Sequence, residues 1–226
     1  RTVLANIKCH VTGDPVDVAT GRMLVTVVDW ALPGPLPIVF TREHSSAASD
    51  RDGVLGFGWS HTLDEEVWLE RGRVVYRAGD GREIQFDTIH LPGRQMRIGD
   101  ELFEPINRLW LRRTREGWDV VNAEGRVHEM RLVFGDRRTD RWRLSRIRSR
   151  DGHEIVLAYD ERARLAWVRD SEARVIQFEH DRHDRLVRIS LPHPTEPGFV
   201  PHVSYEYSPE GNLMAVQDAL GNVARY

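Results

Sequence analysis

Residues 144–160, LSRIRSRDGHEIVLAYD, and residues 165–181, LAWVRDSEARVIQFEHD, carry one pattern twice. The leading leucines Leu144, Leu165 and Leu186 are 21 residues apart, and Leu213 opens a fourth unit after a proline-rich insertion. Eight places after the leucine stands a small turn residue, Gly152, Ala173 or Gly221; the interrupted third unit has none at that offset. After the turn, Ile155, Leu157 and Tyr159, then Ile176, Phe178 and His180, alternate with more polar residues, the period of a strand with one buried face. The outgoing half reads Leu144/Ile147, Leu165/Val168, Leu186/Ile189 and Leu213/Val216. A spacing of three is neither strand alternation nor a full helical turn, so the leucine is taken as the inward-facing residue of the turn that opens the strand.

Each unit is therefore strand, tight turn, strand and a polar turn such as residues 160–164. One hairpin is marginal in water, so neighbours must pair edge to edge. The fold class expected is all-β: repeated antiparallel hairpins fused into a curved, spiralling sheet. Gly81 followed by Ile84 and Phe86, and Gly125 followed by Met130 and Leu132, extend the pattern backwards. The chain divides into residues 1–70, rich in strands and Pro/Gly loops, and residues 71–226, hairpin repeats that become regular from 144. The insertion at 191–201, with Pro192, Pro194 and Pro197, reads as a projecting loop.

The first part holds a β-branched run, Met23 to Val28, preceded by the turn Thr20-Gly21 and followed by the stiff loop Leu32 to Pro37. Gly53-Val54-Leu55-Gly56-Phe57-Gly58-Trp59 interleaves glycines with large apolar residues, which suits a corner where two backbones approach closely. A phosphate loop would lead into a helix; here a strand-like Leu63, Val67, Leu69 pattern follows. Leu102 to Trp110 has helical spacing, but Pro105 inside a helix would cost about 3 kcal/mol, so two short strands around a turn at 105–107 are expected.

Composition narrows the function. With 226 residues, 40% hydrophobic and 30% charged, and a formal net charge of −3, the chain has no overall attraction to nucleic acid or to an anionic membrane. Lys8 is the only lysine; arginine forks suit cross-strand ion pairs. Cys9 stands alone, which excludes an internal disulfide framework and a cysteine metal cluster. No apolar run approaches the ~18 residues of a spanning helix. The chain starts at Arg1, with no signal peptide there, and stops inside a repeat at Tyr226, so it reads as a piece of something longer.

No constellation carries convincing chemistry, and neither cofactor nor metal is expected. His180 and His183 are three apart in a strand pattern and point to opposite faces, and His180 fills the tyrosine slot of its repeat. Asp14 and Asp17 lack a third acidic neighbour, and Asp14 before Pro15 fixes a turn. Ser45-Ser46 and Ser60-His61 hold a nucleophile and a base without an elbow motif. The arginines between Arg137 and Arg150 are broken by Asp136 and Asp140 and alternate as on the solvent face of a strand, not along a nucleic-acid backbone. Seven tryptophans could form a glycan platform, but their alternation favours the core.

The repeat resembles the tyrosine-aspartate repeat of the bacterial Rhs (rearrangement hot spot) proteins, with Tyr159-Asp160 its best instance, His180-Asp181 and Tyr207-Ser208 weaker ones. The strings GDPVDVATG (Gly13, Asp14, Pro15, Thr20, Gly21), LPGPLP, TREHSS and GFGWSH (Gly56, Gly58, Trp59) are similar to the module preceding those repeats. The resemblance implies a non-catalytic segment of a hollow β-cocoon that encloses a C-terminal toxin. It implies as partners the rest of that shell and the toxin, with a PAAR-type spike component and a chaperone. The protein would be made in the bacterial cytoplasm and delivered by secretion, as a type VI effector is. Teneurin-like repeats share the hairpin, so the alternative is a cell-surface adhesion or glycan-binding module. The self-cleaving aspartyl motif of the family is not found; Asp14-Pro15 is at the wrong end.

Overall fold

The computed structural model describes residues 23–91, 93, 95–136, 138 and 140–226. The Gly13-Asp14-Pro15 string, Asp17, the Thr20-Gly21 turn, Cys9 and Arg137 lie outside them. The described strands are β1 (Leu24–Leu32), β2 (Ile38–Ser45), β3 (Asp52–Gly53), β4 (Gly56–Phe57) and β5 (Trp59–His61). Then come β6 (Glu66–Glu70), β7 (Arg73–Arg77), β8 (Glu83–Asp87), β9 (Glu101–Glu104), β10 (Leu109–Arg113), β11 (Gly117–Val121) and β12 (Val127–Arg131). The repeats supply β13 (Arg141–Arg148), β14 (Glu154–Tyr159), β15 (Leu165–Arg169), β16 (Val175–His180), β17 (Leu186–Pro192), β18 (Phe199–Tyr207), β19 (Leu213–Asp218) and β20 (Val223–Arg225). Ser46–Ala48 forms a short 3-10 turn. The all-β, antiparallel expectation holds. Pro105 does separate two strands, β9 and β10.

The described residues form two compact units, one from 23–33, 37–62 and 178–226, the other from 34–36 and those described within 63–177. In the second, β9 to β15 form an antiparallel meander that Val175–Gln177 extends, and the sheet forks at β13. The first half of β13 pairs with β6 (Arg141 opposite Trp68, Trp142 opposite Val67), the second half with β14 (Ile147 opposite Ile155). β7 and β8 continue from β6. In the first unit, β1, β2 and β5 form one small sheet, β3 and β4 a two-stranded ribbon, and β17 to β20 another meander.

A bulge explains the three-residue spacing. Opposite β12, Met130 faces Leu144 and Glu129 faces Arg146, so Ser145 is an extra residue. Opposite β14, Tyr159 faces Leu165 and Ala158 faces Trp167, leaving Ala166 extra; opposite β18, Tyr207 faces Leu213 and Glu206 faces Ala215, leaving Met214 extra. One unpaired residue just after the leucine shifts the alternation by one, so residues i and i+3 share a face. Leu144 and Ile147, Leu165 and Val168, and Leu213 and Val216 are all buried. The leucine faces inward as read, but from the strand itself rather than from the turn.

The turns at the two ends of a repeat unit are also the same turn. At 78–82, 122–126, 149–153, 160–164, 170–174, 181–185, 208–212 and 218–222, the first residue's N–H donates to the fifth carbonyl and the fourth N–H to the first carbonyl. The fourth residue is left-handed in each: Gly81, Gly125, Gly152, Ala163, Ala173, Asp184, Gly211, Gly221. The 21-residue repeat is thus two half-repeats with turns starting at 149, 160, 170 and 181. Each half-repeat reverses the chain once. The interrupted unit departs from this differently than expected. The projecting loop is shorter than 191–201, since β17 runs to Pro192 and β18 begins at Phe199; Pro194 and Pro197 lie in the 193–198 tip, and Pro201 on β18 faces Ser190 beside a bulge.

One face of the second unit's meander is apolar, with Leu111, Val120, Met130, Leu144, Ile155, Val168 and Ile176 buried. The other carries ion pairs: Glu129 with Arg131 on its own strand at 3.0 Å and, across strands, with Arg148 at 3.3 Å, and Glu154 with Arg146 at 3.1 Å. The partly exposed Glu154–Arg146 pair is worth a few tenths of a kcal/mol. Arg143 is not on a solvent face as the alternation suggested. Its side chain is 12% exposed, because it donates to the Ala163 carbonyl (2.6 Å) and covers the Tyr159 ring. Five tryptophans, Trp30, Trp59, Trp68, Trp118 and Trp142, are core residues.

Candidate functional site

The sequence offers the Tyr-Asp dipeptide first, and the structure gives its two halves separate tasks. Tyr159 Oη donates to the Leu144 carbonyl at 2.6 Å, across the hairpin that precedes it. Tyr207 does the same to Leu186, also at 2.6 Å. The same two leucines use their N–H groups outside the repeat, Leu144 toward the Glu65 carbonyl (3.0 Å) and Leu186 toward the Val54 carbonyl (2.8 Å). Each tether therefore fixes a repeat leucine against a strand or corner from the chain's first part. Burial pushes the Tyr159 hydroxyl up to about 12 despite the Arg143 guanidinium over its ring, so it is a neutral donor at physiological pH. Burial likewise raises Tyr207, over which Arg185 lies. In the intervening repeat, His180 holds the place and Leu165 the leucine position.

The aspartate half builds the turn. Asp160 Oδ1 accepts from the N–H groups of Arg162 and Arg164 (2.9 Å each), and Oδ2 from Arg164 Nε (2.8 Å). Burial would raise its pKa, but these hydrogen bonds outweigh burial and lower it. Asp181 accepts in the same way from His183 and Arg185. Ser208 replaces the aspartate with a single acceptor toward Asn212 N–H at 3.2 Å. Tyr159→Phe should cost about 1–2 kcal/mol, the net worth of a buried hydrogen bond, measured by urea unfolding of the chain. An unchanged midpoint would mean the hydroxyl holds nothing.

Two buried polar clusters accompany the tethers, and neither was read from sequence. In the second unit, three consecutive acids, Asp64, Glu65 and Glu66, enter β6. Glu66 meets Arg77 and Arg141 at 2.9 Å and Arg138 at 3.4 Å; Asp64 meets Arg77 at 3.3 Å and Arg143 at 3.7 Å. Glu65 accepts from Tyr76 Oη (2.8 Å) and contacts His128 Nδ1 (2.8 Å). A run of acids where alternation predicts a strand was the available signal, since buried carboxylates need partners. In the first unit, Asp29 is the extra residue of a bulge in β1, between Val28 opposite Thr41 and Trp30 opposite Phe40. The bulge aims Asp29 at Arg42 Nε (2.6 Å), and Tyr205 Oη donates to the same Asp29 oxygen at 2.6 Å. Arg42 lies 5.1 Å from the Trp59 ring centre and 5.7 Å from that of Tyr226.

The remaining sequence candidates fall into place as framework. Gly56 adopts φ +86°, and a Cβ there would meet the Gly211 carbonyl oxygen at 2.5 Å; the corner is a close approach of two backbones. Gly58 lies against the His44 ring, which a Cβ would meet at 2.8 Å, and Trp59 packs edge-on against Tyr226. Gly152, Ala173 and Gly221 occupy the left-handed turn position. Ser60 Oγ donates to the Glu43 carbonyl at 3.4 Å. His183 accepts from its neighbour Arg182 at 2.9 Å. Among the described residues no three metal-ligating side chains come together.

Comparison with known proteins adds the relatives. Residues 13–86 match a family described as a domain of unknown function (DUF6531). The chain is 28% identical, over 94% of its length, to double-stranded DNA deaminase toxin A of Burkholderia cenocepacia, of which it covers 14%. It is 30% identical, again over 94% of its length, to toxin protein Tse5 of Pseudomonas aeruginosa, covering 19% of it. It is 25% identical over 94% of its length to the probable deoxyribonuclease RhsB of Dickeya dadantii, covering 16%. The chain thus spans less than a fifth of each of these toxins. Among solved structures, the crystal structure of TcdB2-TccC3 shares the fold, with a TM-score of 0.55 at 12% identity over 91% of this chain and 16% of that one. With its tyrosine tethers and antiparallel hairpin repeats, the chain is homologous to a stretch of bacterial Rhs-type toxin proteins.

Proposed function

We propose that this chain is a structural, non-catalytic stretch of an Rhs shell that helps to enclose a toxin domain carried elsewhere in the same polypeptide. The observation that carries the reading is the paired tether. Tyr159 to Leu144 to Glu65, and Tyr207 to Leu186 to Val54, each lock a repeat onto the chain's first part through hydrogen bonds alone. That arrangement builds a wall and leaves no reactive group at its centre. Toxins as the matched relatives support an enclosed cargo, and their bacterial sources support secretion as the route, by a type VI apparatus with a spike component and a chaperone as partners. The site residues act in this reading as repeat fasteners, with residues 1–70 as the module that starts the wall. Electron microscopy of the full-length parent should show closed hollow particles. Open or extended particles would remove the enclosing role.

A further inference from the structure

Within the second unit, the β7–β8 hairpin and strands β10 to β12 leave a half-open pocket of about 210 Å³, room for roughly seven waters. Tyr76, Ile84, Leu109 and Val120 supply apolar wall; Arg82, Asn122 and His128 supply polar groups.

Arg82 and Asn122 present donors, and His128 adds a third from Nε2 when its ring is protonated. Glu65 takes the Tyr76 hydroxyl and His128 Nδ1, so the neutral tyrosine donates and the imidazole N–H at Nδ1 is committed. Nε2 is the ring nitrogen left for a ligand. Asn122 Oδ1 accepts from Glu124 and Arg126 N–H groups, which leaves its Nδ2 donor. Arg82 uses Nε on Asp80 and Nη1 on Asn107, which leaves Nη2. The carboxylates beside this wall are engaged: Glu65 by Tyr76 and His128, Asp80 by Arg82, and Glu104 by Asn107. Donors at the polar end and an apolar body define the guest.

We propose that this pocket binds a monocarboxylate with a small apolar body, its carboxylate held by His128 Nε2, Arg82 and Asn122. The Glu65–His128 pair is the positioning device, as a carboxylate behind an imidazole fixes the tautomer and the ring. Burial would lower the His128 pKa and Arg126 adds to that, but the charge and hydrogen bond of Glu65 outweigh both and raise it. Glu65 and Arg126 are the charged groups that act on the imidazole; Tyr76 and Arg82 line the same pocket, and Asp80 pairs with Arg82. The imidazolium is the binding form. Affinity is full below the His128 pKa and is lost as pH rises through it.

The test is a benzoate titration of the isotope-labelled chain followed by NMR at pH 6 and pH 8. Saturable shifts at Arg82, Asn122 and His128, weaker at pH 8, are expected. Arg82 is at the rim, so Arg82→Gln leaves the fold intact and should weaken binding about tenfold, the effect of one charged hydrogen bond. His128→Gln should abolish the pH dependence; its spectrum reports whether the fold survives, and Arg82→Gln decides the matter if it does not. Benzyl alcohol binding as tightly as benzoate, shifts that never saturate, or an Arg82→Gln variant with unchanged affinity would each overturn the proposal.

Discussion

Glu66→Ala should destabilise the 63–177 unit by about 3–5 kcal/mol, the cost of breaking a buried ion pair from one side. Glu66 is 1% exposed and holds Arg77 and Arg141 at 2.9 Å, with Arg138 at 3.4 Å. Removing it leaves Arg77 with Asp64 at 3.3 Å and Arg138 with Asp136 at 3.4 Å, and takes from Arg141 its 2.9 Å partner. The damage falls where β6 meets the first half of β13, the fork of the sheet. Unfolding in guanidinium chloride, followed by the fluorescence of Trp68 and Trp142, reads the loss. Glu66→Gln keeps the shape and one acceptor and should fall between wild type and alanine. The exposed pair Arg126–Glu124, 3.4 Å apart, is the control, and Arg126→Ala should cost about 0.5 kcal/mol or less. If Glu66→Ala costs no more than that control, the cluster is hydrated and does not hold the fork.

The fork also marks where sequence reading stopped. The 21-residue leucine spacing and the alternating return strands were legible because they are local and apolar, and burial of one sheet face demands them. The half-repeat was not legible. Its turn needs a left-handed residue at the fourth position, and Gly152, Ala163, Ala173 and Asp184 all fill it, so a search for glycine finds only one of these four turns. Asp, Asn or Ser at the first position is the more constant sign, since Asn122, Ser149, Asp160, Asp170, Asp181, Ser208 and Asp218 all cap the turn they open. Ser145, Ala166 and Met214 share no chemistry, so the bulges had no signature beyond the odd spacing they cause. The tyrosine of Tyr-Asp was readable as a repeat position, but its bond to a carbonyl 15 residues back in Tyr159 and 21 back in Tyr207 is set by register. The pairing of β6 with β13, 75 residues apart at Glu66 and Arg141, is a tertiary outcome. The Arg141 and Arg143 partners of Glu66 and Asp64 are likewise set by that pairing and have no local sign in the sequence.

The first unit poses the same energetic question in a form that separates the pair from its packing. Arg42→Met should cost about 3–5 kcal/mol, because Asp29, 3% exposed, then keeps only the Tyr205 hydroxyl. Asp29→Leu should cost a similar amount, since it leaves a fully buried guanidinium among the Trp59, Tyr205 and Tyr226 rings. That guanidinium cannot discharge. Burial alone would lower its pKa, yet Asp29 and the tyrosines outweigh burial and raise it further. It is also imperfectly paired, as Nη1 has no hydrogen-bond partner. Ring faces around a cation contribute roughly 0.5–2 kcal/mol, too little to replace the carboxylate. The double variant Arg42→Met/Asp29→Leu removes both charges and fills their space with apolar atoms, so it should lie within about 1 kcal/mol of wild type, because replacing a whole buried pair is often neutral. The cycle of four unfolding curves then gives a coupling of several kcal/mol between residues 29 and 42. Additive losses in the double variant would show that Arg42 is held by the aromatic rings and the bulge at Asp29 serves some other end. Strong coupling with a stable double variant would show that the pair sets which conformation β1 takes and adds little to its stability, the bulge being kept for register.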